Sequence, residues 1–210
     1  MLMDVVTSFV ASSGESSAVI SGLVGEVYTF LSEDALTPLR DAREFGALLN
    51  ACGRLDASDV GIAVCLGDRD GAFSEALKLV TEYRSKLNKA IQMLQLGGER
   101  VAVQGDVAVV MGEGFIEERM TGSVSSLLAS SEKFKDKLVL VRARSGETEL
   151  KFSFRLGDTF PKEVNLGLVM KEAAERVGGV GGGHSRAAGA KIPLAKRDEF
   201  TRAVIEKVSQ

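Results

Sequence analysis

Hydrophobic positions change their period along this chain. From Ala72 to Gln95, the residues Phe73, Ala76, Leu77, Val80, Tyr83, Leu87, Ala90, Ile91 and Leu94 recur at spacings of three and four, which predicts one long amphipathic helix. At 1.5 Å per residue it extends about 35 Å, enough for a strut between two bodies or a core helix of one. Upstream, Leu39, Ala42, Phe45, Leu48 and Leu49 form a stripe over 38–51, with Thr37 or Pro38 opening the helix and Gly53 closing it. After Gly97-Gly98 the period falls to two. Val101 to Val103 and Val107 to Met111 flank Gly105-Asp106, and Lys137 to Arg144 and Glu147 to Leu156 flank Ser145-Gly146. Two hairpins are predicted, each turning on a glycine pair. Farther on, Asn165 can cap a helix with Leu166, Val169, Met170, Ala173, Ala174 and Val177 on one face, and Gly178 fits the position just past its end. A short strand over Ala187 to Ile192 and a helix from Lys196 to Lys207 complete the pattern. The expectation is an α/β (α+β) fold in two parts: a helical segment with a connecting helix over 1–96, then a mixed β-sheet flanked by helices over 97–210.

Composition narrows the class. The 210 residues are 45% hydrophobic with net charge −3 and no tryptophan, which suits a globular chain with a real core. The apolar runs in residues 1–20 are broken by Asp4, Ser12, Ser13 and Glu15, so neither a membrane span nor a signal peptide is expected, and a cytoplasmic location follows. Cys52 and Cys65 sit in apolar surroundings with no partner spacing, which reads as two buried thiols rather than a disulfide. Charge is uneven, −5 over residues 1–96 and +2 over 97–210. Toward the C-terminus Arg186, Lys191, Lys196, Arg197, Arg202 and Lys207 outnumber Asp198, Glu199 and Glu206, a mild positive field suited to a small polyanion footprint or a single strand.

Candidate chemistry gathers in Gly178-Gly179-Val180-Gly181-Gly182-Gly183-His184-Ser185-Arg186, which joins a glycine-packed turn to the single histidine. Glycines can let successive N–H groups line a concave nest for a phosphate, with His184 and Arg186 as neighbouring donors. The plainer reading is a flexible hinge. Because the stretch follows a helix C-terminus, the dipole there would oppose an anion, leaving the nest and side chains to hold it. On the strand ending at Leu156, alternation puts Leu150, Phe152, Phe154 and Leu156 on one face and Lys151, Ser153 and Arg155 on the other. Residues two apart on a strand are about 6.6 Å apart, close to successive phosphates on an extended strand, although a solvated strand face has the same look.

Other chemistries lack their residues. The triphosphate-loop pattern needs a lysine where His184 stands and a strand before it. Asp68-Arg69-Asp70-Gly71 has no closing glutamate for a calcium loop. One histidine and two distant cysteines draw no zinc site, nothing resembles a nucleophile elbow, and Glu117-Glu118 and Glu147/Glu149 are isolated pairs. No catalytic residue, metal ligand or cofactor is assigned to this chain.

The motifs resemble a known family. Gly181-Gly182-Gly183-His184 followed by Ala187-Ala188-Gly189 is similar to the signature of the DHH-associated domain, the C-terminal half of DHH phosphoesterases such as the RecJ single-strand exonucleases. Lys151-Phe152-Ser153-Phe154-Arg155 is similar to its second motif, whose Ser and Arg face substrate phosphates; Leu156 stands where relatives often carry Ser. The segments Gly25 to Phe30 and Leu39 to Arg54 resemble the archaeal branch, and the likeness runs from about Gly22 onward. The resemblance implies a substrate-binding lobe with Lys151, Ser153, Arg155, Gly181, Gly182, Gly183, His184, Ser185 and Arg186 on single-stranded DNA or RNA. Cleavage would then belong to a DHH lobe holding Mn2+ or Mg2+, fused or separate, because a chain with one histidine contains no Asp-His-His triplet and is expected to be inactive alone. Two alternatives remain: a non-catalytic scaffold in a replication-fork assembly with GINS and helicase partners, and the substrate lobe of an oligonucleotide or cyclic dinucleotide phosphoesterase.

Overall fold

The computed structural model describes residues 26–95 and 100–209. The start of the chain, including Gly22 to Gly25, and the Gly97-Gly98 boundary lie outside the described residues. By their contacts, the described residues fall into two units: those up to Gly53 with Ser58–Leu77, and Arg54–Ala57 with those from Lys78 onward.

In the first unit the stripe over 38–51 divides. A 3-10 turn spans Pro38–Arg40, and helix α1 runs Ala42–Arg54. The break falls at Asp41, whose Oδ1 accepts from the backbone N–H groups of Arg43 at 2.8 Å and Glu44 at 3.2 Å, an N-cap that restarts the helix. Gly53 therefore lies inside the last turn instead of closing it, and Asp56, with φ 64°, makes the turn beyond. Helix α2, Ser58–Cys65, crosses closely because Gly61 has no side chain; a Cβ there would stand 3.3 Å from Cys52 Cβ. Cys52 is buried and its thiol pKa is raised by that burial, whereas Cys65 is exposed, correcting the expectation of two buried thiols. Asp68 Oδ1 accepts from Asp70 and Ala72 N–H, so the acidic stretch there is the cap of the long helix α3, Gly71–Gln95.

The second unit is built on a six-stranded mixed sheet. Strands β1 (Val101–Gln104), β2 (Val107–Met111), β3 (Leu138–Ser145), β4 (Glu149–Leu156), β5 (Val180–Gly183) and β6 (Ala187–Pro193) lie in the order β1-β2-β3-β4-β6-β5. Only β2 with β3 is parallel, and their crossover carries helix α4, Thr121–Ala129. Both predicted hairpins form, with Gly105 at φ 57° and Gly146 at φ 66°. Helices α5 (Leu166–Arg176) and α6 (Arg197–Ser209) complete the unit. Asn165 Oδ1 accepts from Leu168 N–H at 3.2 Å, and Gly178 takes φ 75° just past α5, as its sequence position implies.

Alternation along β4 sorts the core. Leu150, Phe152, Phe154 and Leu156 pack with Leu166, Met170, Phe200 and Val204 of α5 and α6. Phe152 meets Phe200 edge-on with centroids 4.9 Å apart, and each buried ring contributes about 1.5–3 kcal/mol by leaving water. On the opposite face Val110, Val139, Val141 and Ala143 pack with Val124 of α4 and with Ala90, Leu87 and Ile91 of α3. No helix among the described residues is long and apolar enough to cross a membrane.

Candidate functional site

Strand register decides which predicted residues share a surface. Val141 pairs with Ser153, Ser153 with Gly189, and Gly189 with Gly182, so one row crosses four strands on one face. Cross-strand partners point the same way. On one side of that row stand Lys151, Lys191 and Val180; on the other stand Arg155 and Ala187. Two flanking rows of side chains thus border a strip whose floor is Gly182, Gly189 and Ser153. A Cβ built on Gly182 meets nothing within 4 Å, and one on Gly189 would lie 3.6 Å from Lys151 Nζ, so that ammonium hangs over the glycine floor. The strip is a trough across three strands, about 10 Å long at the usual strand spacing.

At its β3 end the trough stops against α4. Ser153 Oγ and Thr121 Oγ1 share a hydrogen bond of 2.8 Å, and Thr121 also donates to the Glu118 carbonyl at 2.8 Å. Arg155 is half-buried with its Nε out of solvent and without a hydrogen-bond partner among the described residues. A buried N–H with no acceptor is costly, and an incoming oxyanion beside it would satisfy it.

The glycine-histidine segment is organised differently from a phosphate-cradling loop. Gly181 to Gly183 form an edge strand paired with β6, and the His184 N–H is spent on the Ala187 carbonyl at 2.7 Å. Gly181 and Gly183 face the core side: a Cβ on Gly181 would run into the Met170 carbonyl, and one on Gly183 would stand 2.5 Å from the Ala187 carbonyl. Their missing side chains serve close packing of α5 and the hairpin, and of the three only Gly182 floors the trough. Strand β5 also runs back along α5, so the His184–Arg186 turn meets the helix N-terminus. Leu166 N–H donates to the Ser185 carbonyl at 3.0 Å and Gly167 N–H to the His184 carbonyl at 3.1 Å. The opposing dipole expected for this segment applies at Gly178, not at the histidine.

His184 is exposed at the end of β5, opposite Ala187, which is in register with Arg155. Ser185 and Arg186 turn elsewhere. They line a cleft of about 560 Å3 with Phe160, Lys162 and Asn165, and Arg186 Nη2 donates to the Gly157 carbonyl at 2.9 Å. Leu156 is buried in the core, so the departure from Ser at that position does not touch the polar face. The positive excess near the C-terminus is largely matched locally: Lys196 pairs with Glu199 and Arg197 with Asp198, each at 2.8 Å, and Lys207 pairs with Glu172. The cationic character of the trough therefore comes from Lys151, Arg155 and Lys191, the last only 3.9 Å from Glu149. Among the described residues no group of three or more His, Cys, Asp or Glu side chains gathers to hold a metal ion.

Sequence reading missed Thr121, Gly122, Gly189 and Lys191 as parts of this surface. The strand register was the missing information for the last two. The first two open α4, whose sequence Thr-Gly-Ser-Val-Ser-Ser-Leu-Leu-Ala is rich in residues that favour turns over helices.

A family model described as the DHHA1 domain matches residues 104–210. An uncharacterized protein of Methanocaldococcus jannaschii is 31% identical over 176 residues, 82% of this chain and 36% of the relative. The chain thus spans about a third of the length of that curated relative. Among solved structures, RecJ from Thermus thermophilus in complex with Mn2+ superposes with TM-score 0.58 at 21% identity, covering 80% of this chain and 24% of that one. Another exonuclease RecJ, bound to manganese, gives TM-score 0.56 at 20% identity over 80% of this chain and 40% of its own. At these identities the likeness establishes a shared fold.

Proposed function

Because the chain belongs to the DHHA1 domain family, we propose that it is the nucleic-acid-gripping part of a RecJ-like DHH phosphoesterase, holding the phosphate backbone of a single strand. In this reading the trough binds and orients the strand, while bond cleavage is carried out by a DHH lobe, fused or separate, that supplies Mn2+ or Mg2+. No cluster among the described residues fits such ions, so no chemical step is routed through this chain. Arg155 carries the reading: a guanidinium whose buried Nε has no partner among the described residues, beside a floor of two glycines. The bare floor lets a ribose-phosphate chain approach the sheet backbone, Lys151 and Arg155, about 13 Å apart along β4, neutralise phosphates from the two borders of the strip, Ser153, hydrogen-bonded to Thr121, lies between them, and His184 adds a donor from the hairpin end. Phosphate contacts carry no base information, so recognition is independent of sequence.

The test is fluorescence anisotropy with a labelled oligothymidylate at low salt. Arg155→Ala weakens binding about ten- to hundredfold, as expected for one charge-assisted contact of about 1.5–3 kcal/mol. The slope of log affinity against log salt falls by about 0.7, one phosphate's share for a single strand. His184→Ala weakens it further, and an excess of duplex competes poorly. Unchanged affinity in the double variant overturns the proposal.

A second reading, a scaffold subunit of a replication assembly, draws on the first unit. Leu31, Leu36 and Leu66 there are 80%, 96% and 83% exposed, and exposed apolar groups of this size suit a protein partner. Stable co-purification with a GINS-type partner, together with no measurable oligonucleotide binding, favours it over the first.

A further inference from the structure

Two hydroxyls close one end of the trough, and their protons are already committed. Thr121 Oγ1 stands 2.8 Å from the Glu118 carbonyl oxygen and 2.8 Å from Ser153 Oγ. A carbonyl oxygen only accepts, so the bond to Glu118 takes the single proton of Thr121. The bond between the two hydroxyls then takes the proton of Ser153. This arrangement makes two internal hydrogen bonds, whereas turning the Thr121 proton toward Ser153 makes one. Thr121 is 1% exposed, so water does not replace the bond that would be lost. Ser153 Oγ is left with lone pairs and no proton to offer, and it makes no other hydrogen bond among the described residues.

That oxygen belongs to the floor of the trough. Ser153 is half-buried, and its register partner Gly189 has no side chain to cover it. The cations stand on the borders, Lys151 and Lys191 on one side and Arg155 on the other, so the borders offer donors and the middle of the floor offers an acceptor. A phosphodiester carries acceptors only, which makes it a poor match for this oxygen. Within an internal stretch of nucleic-acid backbone the ribose 2′-hydroxyl is the group with a proton to give, and it is the group that separates RNA from DNA. We propose that Ser153 accepts a hydrogen bond from a ribose 2′-hydroxyl, that Thr121 is the positioning residue that turns the serine proton away from the ligand, and that the trough therefore prefers RNA to DNA. The proposal rests on the reading of this face as a single-strand-binding surface and adds to it a choice of sugar.

The experiment uses the full chain and fluorescence anisotropy with three labelled uridylate oligomers of one length, carrying ribose, 2′-fluororibose or 2′-deoxyribose. Fluorine keeps the sugar pucker of RNA but brings no proton, so the ratio of ribo to 2′-fluoro affinity isolates the donated bond. The parent binds the ribo-oligomer about three- to tenfold more tightly than the 2′-fluoro one, the share of one neutral hydrogen bond. Ser153→Ala brings that ratio to about one and leaves the 2′-fluoro and deoxy affinities within about twofold of the parent. Thr121→Val keeps the shape of the side chain and leaves the Glu118 carbonyl its bond from the residue 121 N–H. It frees the serine proton to turn toward a phosphate, so the 2′-fluoro affinity rises and the ratio falls toward one. Thr121→Ser restores the parent ratio. A purely structural role for Thr121 would lower all three affinities together and leave the ratio alone. Equal binding of the ribo- and 2′-fluoro-oligomers by the parent, a ribo preference that survives Ser153→Ala, or an equal loss across the three oligomers in Ser153→Ala overturns the proposal. Each of these leaves the strand-binding reading standing as long as Arg155→Ala weakens all three oligomers. If Arg155→Ala changes nothing for any of them, that reading itself is wrong.

Discussion

One face of the sheet is divided along its width between apolar and polar side chains. Under α4 and the later turns of α3, the outward positions of β2 and β3 are Val110, Val139, Val141 and Ala143, all fully buried. One strand over, with the same pleat and the same pointing direction, the positions in register are Lys151, Ser153 and Arg155, followed by Ala187, Gly189 and Gly182. The backbone pattern does not change across this line; the side chains do, while α4 packs over both β3 and β4 and bonds Ser153 through Thr121. Period-two alternation therefore states which residues share a face, and only the strand order states which of those residues stand side by side across it.

Exchanging residues across the line between Val141 and Ser153 breaks the comparison most severely. The two are direct partners. Val141→Ser puts a hydroxyl beneath α4 and removes two methyl groups from a fully buried site, costing about 2–4 kcal/mol in urea unfolding. Ser153→Val loses one hydrogen bond to Thr121, which keeps its bond to the Glu118 carbonyl, so it costs within about 1 kcal/mol while oligonucleotide binding weakens. Equal costs for the two exchanges would show that the face is not divided.

A smaller effect comes from the other side of the sheet, where Asn165 caps α5. Asn165→Ala costs about 1 kcal/mol, measured by the same unfolding curves, and leaves oligonucleotide binding intact because α5 packs on the core face. Weakened binding at full occupancy of the fold would tie the hairpin turn to α5 more tightly than the two carbonyl bonds at Ser185 and His184 suggest.

Much of this architecture was legible in the residues. Strict alternation at 149–156, glycine turns at Gly105 and Gly146, the Asn165 cap and the stripe from Phe73 to Leu94 each carry a local physical cause that survives folding. What was not legible depended on partners distant in sequence. Gly181 to Gly183 have no side chains to give a period, so a strand there is visible only through its pairing with β6. The same glycines looked like a phosphate nest because small residues serve a close helix approach and a ligand approach alike; the carbonyls of Met170 and Ala187 decide between them. Helix α4 was hidden by its serines and glycine, and with it the end of the trough. Lys151, Ser153 and Arg155 were correctly placed on one face by alternation, whereas Ser185 and Arg186, nearby in sequence to His184, line a different cleft.

The gentlest way to sharpen the contrast is by acid. Glu172 on α5 and Lys207 on α6 form an ion pair on the outside of the core-face helices, and the hydrogen bond from Lys207, reinforced by its charge, lowers the Glu172 pKa. A carboxylate whose pKa falls on folding contributes stability that is complete above its unfolded value, near 4.3, and disappears as pH drops through the lower folded value. Glu172→Gln therefore unfolds slightly earlier than the parent at pH 7. The gap closes as acid protonates Glu172 in the parent, and it narrows in 1 M salt at neutral pH because an exposed pair is screened. The effect stays small because α5 and α6 are held to the sheet by Phe152, Phe154, Leu166 and Phe200, none of which titrates. A gap that instead widened toward acid would mean the pair opposes folding, and that the core-face helices depend on something other than apolar burial.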